Sequence, residues 1–415
     1  MSRYTEDPER DERRGPNWGK TFAIVLSIVL AVVVVFGAAV LYMGHSLFSL
    51  TRFQNKSEVQ VVQNVEDLPE EAVETISSEQ SVGMAVDEQQ LQEIQATMEK
   101  VDEKVTVAQT DDTVFNVVLT GVDRRDKTWN GNSDSMMLVS INYEQKRVSI
   151  ISLMRDTYVN IPGVGYAKLN NAYAQGGGPL MCETISENYN IEVDKYAAVD
   201  FEDMMDIVDA LGGVELEMTE AEVNIANMYI TDMCNTLNMN VDEHLISGSG
   251  TIYCTGIQAV GYARNRFVGN SDYARTERQR YVISQILKKI KTLSIPELTV
   301  FVTKVLPLIT HNIDEGDIWD LVTKAPDILT YTFVTDRVPY DDLYSVIYVD
   351  GQDMLVPDWE ETIAQLHNTI YGDGEASDNS DNNDEDRSIA YADYNKDELD
   401  AAAKRAESES DSNAS

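Results

Sequence analysis

Residues 117–171 read VVLTGVDRRDKTWNGNSDSMMLVSINYEQKRVSIISLMRDTYVNIPGVGYAKLNN. Three apolar, β-branched-rich runs, Phe115–Leu119, Met136–Ile141 and Val148–Leu153, have the composition of strands in a buried sheet. Charged residues stand where the chain leaves those runs. Asp123, Arg124 and Arg125 follow the first, Asp134 precedes the second, Arg155 and Asp156 follow the third, and Lys168 comes shortly after. Carboxylates beside cations, on loops carried by a rigid sheet, are what a metal-assisted phosphate site requires. By spacing alone, the same charges also serve as turn caps and internal ion pairs.

A second cluster lies at Gly261–Ile290, GYARNRFVGNSDYARTERQRYVISQILKKI. Arg264 and Arg266 alternate, so in an extended segment they point to one side. Asp272 precedes a helical pattern in which Arg275, Arg278 and Gln279 fall at i, i+3 and i+4 and share a face. Val282, Ile283, Ile286, Leu287 and Ile290 supply an apolar stripe, read here as the opposite side of that helix.

Together these pieces resemble the LytR-CpsA-Psr family of Gram-positive cell envelopes. The resemblance rests on GVDRR at Gly121–Arg125, NSDSMMLVSI at Asn132–Ile141, SLMRDTYVNIPG at Ser152–Gly163, KLNNAYAQGG at Lys168–Gly177, and ARNR with the following D..R..RQR at Ala263–Arg280. It covers most of residues 111–345. Met154 departs from the family's usual proline and Arg124 from its usual small hydroxyl residue; neither change removes a charge. The resemblance implies an α/β fold, an α-β-α sandwich with a mixed central sheet. It further implies a transferase that moves a glycopolymer, whether teichoic acid, capsule or another wall glycan, as glycosyl phosphate from polyprenyl pyrophosphate to peptidoglycan.

On that reading Asp123 and Asp134 are the metal ligands, their hard oxygens suiting Mg²⁺, with Mn²⁺ as the alternative. Arg125, Arg155, Lys168, Arg264, Arg266 and Arg275 form the pyrophosphate cradle, because the planar arginine fork matches phosphate oxygens. The family pattern adds Arg278 and Gln279. Arg155, Arg264 and Asp272 stand nearest the chemistry. Asp272 either takes a proton from the attacking hydroxyl or orients an arginine, and flanking arginines, which lower a carboxyl pKa, favour orientation. Two other readings use the same residues: a lipid-pyrophosphate hydrolase, and a non-catalytic envelope regulator or wall-binding protein.

Composition limits the partners. The 415 residues carry 71 acidic against 32 basic side chains, a formal net charge of −39. A phosphate backbone would be repelled almost everywhere, which excludes nucleic acid. Phe22–Met43 is an apolar run long enough for the ~30 Å bilayer core, with more basic residues on its N-terminal side. The organisation expected is a cytoplasmic tail at 1–20, a transmembrane helix at 21–44, an extracellular stalk or accessory helix at 45–110, a catalytic domain at 111–371 and an acidic, disordered tail at 372–415. This places a single-pass protein in the cell membrane with its N-terminus in the cytoplasm and its catalytic domain outside.

Between these landmarks, helix-like Pro179–Asn188 and Phe201–Leu211 alternate with strand-like Tyr196–Val199 and Val214–Glu217, the pattern of a sheet covered on both faces. Helices are expected again at Val300–Ile309 and Ile318–Ile328, and strands at Tyr331–Val338 and Ser345–Val349. Gly176–Gly178 reads as a helix start. The four histidines are scattered without zinc-ligand spacing, and no nucleophile elbow or Walker loop is present. Among Cys182, Cys234 and Cys254 three pairings are open. Cys234 with Cys254 is favoured, closing a loop of about 20 residues worth roughly 3 kcal/mol.

Overall fold

The structure is a computed structural model in which residues 50–63, 68, 81–104, 113–123, 129–265, 271–290, 292–328 and 330–372 are described. The expected membrane span and both tails lie outside these residues. No helix among the described residues is long and apolar enough to cross a membrane.

The three apolar runs form adjacent antiparallel strands, β3 (Val114–Asp123), β4 (Asn132–Asn142) and β5 (Arg147–Leu153). Their side chains alternate as a pleat requires. Val118, Val122, Leu138, Ile151 and Leu153 enter one core, whereas Val117, Val139, Ile141, Val148 and Ile150 enter another on the opposite face. Four further strands complete a mixed sheet in the order β1-β11-β8-β3-β4-β5-β12. In it β1 is Arg52–Phe53, β8 Lys195–Asp200, β11 Thr310–His311 and β12 Thr332–Val338. The pairs β3–β8 and β5–β12 are parallel, so β8, β3, β5 and β12 all end at the same edge.

The first core is covered by α1 (Glu88–Lys104), α2 (Leu169–Tyr189) and α9 (Trp359–Tyr371), and the second by α8 (Glu315–Ile328). A third core joins α3 (Phe201–Ala210), α4 (Glu220–Thr236), α5 (Gly256–Ala263), α6 (Ser271–Ile290) and α7 (Ile295–Val305) beside the sheet. The remaining strands build smaller ribbons: β6 (Tyr158–Ile161) with β7 (Gly165–Lys168), β9 (Val214–Met218) with β10 (Gly250–Cys254), and β2 (Met84–Ala85), β13 (Tyr344–Val349) and β14 (Gln352–Pro357) together. The mixed sheet with helices on both faces is the expected architecture, extended by a helical layer.

Three local readings are corrected and one is refined. The accessory helix α1 does not stand off the domain: Met98 is buried in the first core and Gln95 donates to the Tyr158 hydroxyl at 2.8 Å. Nor are residues 50–63 a spacer. Arg52 donates to both carboxylate oxygens of Asp203 at 2.5 and 3.0 Å, and the Val62 N–H bonds the Gln175 carbonyl at 2.8 Å. The reading of Gly176–Gly178 as a helix start is kept: Gly176 and Gly177 have non-helical backbone angles, so the second helical segment of α2 begins after this kink, and a Cβ on Gly178 would meet the Tyr196 ring at 2.2 Å. All three cysteines are free thiols: Cys234 and Cys254 fill space in the third core, where apolar packing takes the place of the expected cross-link.

Candidate functional site

Because four strands end at one edge, the loops leaving them converge there, the position at which open α/β sheets bind ligands. Asp123 closes β3 at this edge. Asp134 sits near the start of β4 at a break in register: Gly121 pairs with Ser135 but Val122 with Ser133, so Asp134 is the extra residue of a β-bulge. A bulge frees one residue from the ladder and re-aims its side chain.

The turn after β5 carries Arg155 and Asp156 and is fixed from several sides. The Met154 N–H bonds the Val338 carbonyl, the Asn170 N–H bonds the Arg155 carbonyl, and the Leu355 N–H bonds the Asp156 carbonyl, at 2.9, 3.1 and 2.8 Å. With its backbone held, the Arg155 side chain has little freedom. Its Nη1 reaches Asp134 Oδ1 at 2.8 Å and its Nε stands 3.4 Å from Asp156 Oδ2. Lys168 Nζ meets Asp156 Oδ1 at 2.6 Å. The result is a buried row of alternating charge: Asp134, Arg155, Asp156, Lys168.

Lys168 is the N-cap of α2, and its side chain makes no capping bond. A cation at a helix N-terminus opposes the macrodipole, and lysine is a poor cap. Lys168 thus breaks a local rule while buried beside a carboxylate, a departure expected at functional or strained positions.

Across the edge, Arg264 ends α5, and its Nη2 stands 3.5 Å from Asp123 Oδ2. Its guanidinium stands over two rings, 5.0 Å from the centroid of Phe201 and 5.3 Å from that of Tyr229. Both distances are within cation–π range, so the planar group is held by attraction from two aromatic faces.

On α6 the expected geometry changes. Residues 275, 278, 282, 286 and 290 advance by three or four and form one stripe, not two opposed faces. Arg275, Arg278, Val282, Ile286 and Ile290 are accordingly all buried, with the cations at the N-terminal end of an aliphatic row. Arg278 donates to Glu222 and to the Asn265 carbonyl, so its immediate contacts are within the protein. Gln279 has a buried Oε1 with no hydrogen-bond partner among the described residues. Arg125 and Arg266 lie outside the described residues, as does the side chain of Asp272.

Four residues of this region were not singled out by sequence. Phe201, Tyr229 and Glu222 belong to elements whose apolar spacing carries no catalytic signal. Asn170, with a buried Oδ1 lacking a partner among the described residues, stands within the quoted KLNN motif and was open to notice. Asp123 and Asp134 supply two hard oxygen donors at one edge, and Mg²⁺ takes one or two carboxylates together with water and phosphate oxygens. The donor set therefore fits. No group of three or more His, Cys, Asp or Glu placed to hold a metal occurs among the described residues.

Comparison with known proteins bears on the whole arrangement. The LytR_cpsA_psr family model matches residues 79–369. A protein of Streptococcus mutans, biofilm regulatory protein A, is 37% identical over 196 residues, covering 44% of this chain and 46% of that one. The polyisoprenyl-teichoic acid–peptidoglycan teichoic acid transferase TagU of Enterococcus faecalis is 35% identical over 184 residues, 43% of this chain and 55% of that one. The matched segment thus spans about half the length of these relatives. Among solved structures, protein gbs0355 from Streptococcus agalactiae superposes with a TM-score of 0.50 at 25% identity, covering 66% of this chain and 90% of that one.

Proposed function

This chain belongs to the LytR-CpsA-Psr family, and from that premise we propose that it is a membrane-anchored, extracytoplasmic glycopolymer transferase. Its donor is a glycan on polyprenyl pyrophosphate, its acceptor a hydroxyl of peptidoglycan. The name of the Enterococcus relative describes such a reaction with teichoic acid, and the cations of the site suit phosphate chemistry. The observation that carries the reading is the buried row Asp134–Arg155–Asp156–Lys168, at the strand edge where Arg264 meets Asp123: three cations held together in a protein of net charge −39.

The acceptor oxygen attacks the phosphorus that carries the glycan. A new P–O bond forms to peptidoglycan, the bridging P–O bond breaks, polyprenyl phosphate leaves with the electron pair, and the hydroxyl proton is lost. Charge builds on the leaving phosphate, where preorganised cations stabilise the transition state most. Arg155 and Lys168 are held by carboxylates and Arg264 by two rings, so little reorganisation is needed when phosphate oxygens arrive. Arg275, with Arg125 and Arg266 from the sequence, completes the cradle, and Gln279 offers a neutral hydrogen bond. Asp272, three residues before Arg275, orients that arginine. Asp123 and Asp134 would hold Mg²⁺, whose chemistry there is to neutralise phosphate charge. The prenyl chain needs an apolar groove. We assign to it Val199, Phe201, Met204 and Ile283, half-buried against the third core, of which Phe201 lies against Arg264.

The test uses the full chain in lipid nanodiscs with a synthetic polyprenyl-pyrophosphate glycan and peptidoglycan oligomers. Mass spectrometry should find the acceptor heavier by one glycan phosphate. Lipid binding without any change in acceptor mass would refute transfer.

A further inference from the structure

Where α4 meets α6, a buried ion pair holds the peptide that follows Arg264. Glu222 is 3% and Arg278 2% exposed, with Glu222 Oε1 and Arg278 Nε 3.0 Å apart. Arg278 Nη1 donates to the carbonyl of Asn265 at 3.1 Å, and its guanidinium stands 5.9 Å from the Tyr262 ring centroid. Glu222 is itself anchored. Its Oε2 accepts from the Thr219 N–H at 2.9 Å and from the Thr219 hydroxyl at 3.0 Å, in a capping box that opens α4.

Stability does not account for such a pair. Desolvating two charges costs about as much as their attraction returns, and apolar replacements of similar volume are often neutral or better. What an apolar pair cannot do is bond the Asn265 carbonyl. That carbonyl follows Arg264 and precedes Arg266, and Asn265 is fully buried. We propose that Glu222, acting through Arg278 and the Asn265 carbonyl, is a positioning residue that sets the direction of the backbone at Arg264. It touches no substrate. Arg278 thereby serves the cradle from behind instead of as one of its ligands. The inference rests on Arg264 acting on the pyrophosphate, as proposed above.

The experiment compares the full-length wild type with Glu222→Gln and with the double variant Glu222→Met/Arg278→Leu. Three readouts are taken: melting temperature, hydrogen exchange at the Arg264 and Asn265 amides, which bond the Val260 and Tyr262 carbonyls at 3.0 and 3.2 Å, and kcat with KM. The double variant is expected to melt at or above the wild type, to exchange faster at those two amides, and to lose on the order of tenfold to a hundredfold in kcat, with a smaller change in KM. Glu222→Gln, which keeps an oxygen acceptor for Arg278, should recover part of the loss. A double variant that folds, exchanges and turns over within about twofold of wild type would show that the pair only fills space, and the proposal would fall. Should the double variant not melt cooperatively, the same comparison is decided on Glu222→Gln. An inactive wild type would count against the transferase reading alone, because the exchange measurement judges positioning without it.

Discussion

Arg155 Nη1 lies 2.8 Å from Asp134 Oδ1, and the two residues reach that contact from different places, one from a locked turn after β5 and the other from a bulge in β4. A bulge that re-aims an acid toward a fixed arginine couples strand geometry directly to site electrostatics.

Removing Arg155 leaves Asp134 and Asp156 largely buried without their shared cation. Breaking a buried pair from one side costs ~3–5 kcal/mol. Arg155→Ala should therefore lower the melting temperature clearly as well as abolish transfer. Arg155→Lys should keep much of the stability but little of the activity, since an ammonium cannot replace the planar fork. Calorimetry and turnover on the same samples check both; an Arg155→Ala protein melting like wild type would show that the row is not coupled.

The ring clamp on Arg264 predicts a milder phenotype. Tyr229→Leu removes one aromatic face while keeping apolar volume, a loss of ~0.5–1 kcal/mol in cation–π attraction. Transfer efficiency should fall about two- to fivefold, with the melting temperature little changed. Phe201→Leu should do the same. Steady-state kinetics of the two variants measure it, and unchanged kcat/KM in both would remove the clamp from the account.

Much of this site was legible in the sequence because its main strands are β-branched runs and its charges stand at their ends. Asp123, Asp134, Arg155 and Lys168 could be placed near the ends of those runs without coordinates, although the structure carries Asp123 and Asp134 within β3 and β4 and not on loops. What pairs with what could not, because the Asp134 bulge is a register event invisible in composition. The face of α6 was misread by treating Arg275 and Arg278 as opposed to Val282, although seven residues bring a helix back to nearly the same side. Helix α4 was overlooked despite its Thr219-x-x-Glu222 capping box, because its apolar positions are interrupted by Asn, Thr and Asp. The strap at residues 50–63 has only a two-residue strand, too short for periodicity to register.

His311 predicts a specific acid sensitivity. Burial pushes its imidazole down to about 4, while its Nδ1 accepts from the Ile313 N–H at 3.1 Å. The unfolded chain titrates near 6.5. As pH falls from about 6.5 toward 4, the unfolded state takes up a proton that the folded state refuses, so stability drops in that window and is unaffected above it. Asp336, whose carboxyl burial raises, contributes with the opposite sign. Denaturant midpoints of wild type and His311→Gln between pH 7.5 and 4.5 isolate the histidine: the variant should show the shallower fall, and equal slopes would contradict the assignment.

The cysteines predict indifference to reductant. Burial raises all three thiols, Cys254 to about 12, which suppresses the reactive thiolate. Adding dithiothreitol should leave the melting temperature unchanged, and three thiols should be titrated after denaturation without reductant. One titratable thiol would restore the disulfide.

The central claim is phosphoryl transfer at the charged strand edge, and the identity of the released lipid tests it most directly. Full-length wild type and Arg155→Ala are incubated with the lipid-linked glycan and peptidoglycan oligomers, with and without Mg²⁺, and the lipid product is weighed. The account predicts polyprenyl monophosphate in step with glycan phosphate on the acceptor, stimulated by Mg²⁺ and absent in the variant. Release of polyprenyl pyrophosphate, or of free glycan phosphate into water while acceptor is abundant, would contradict it.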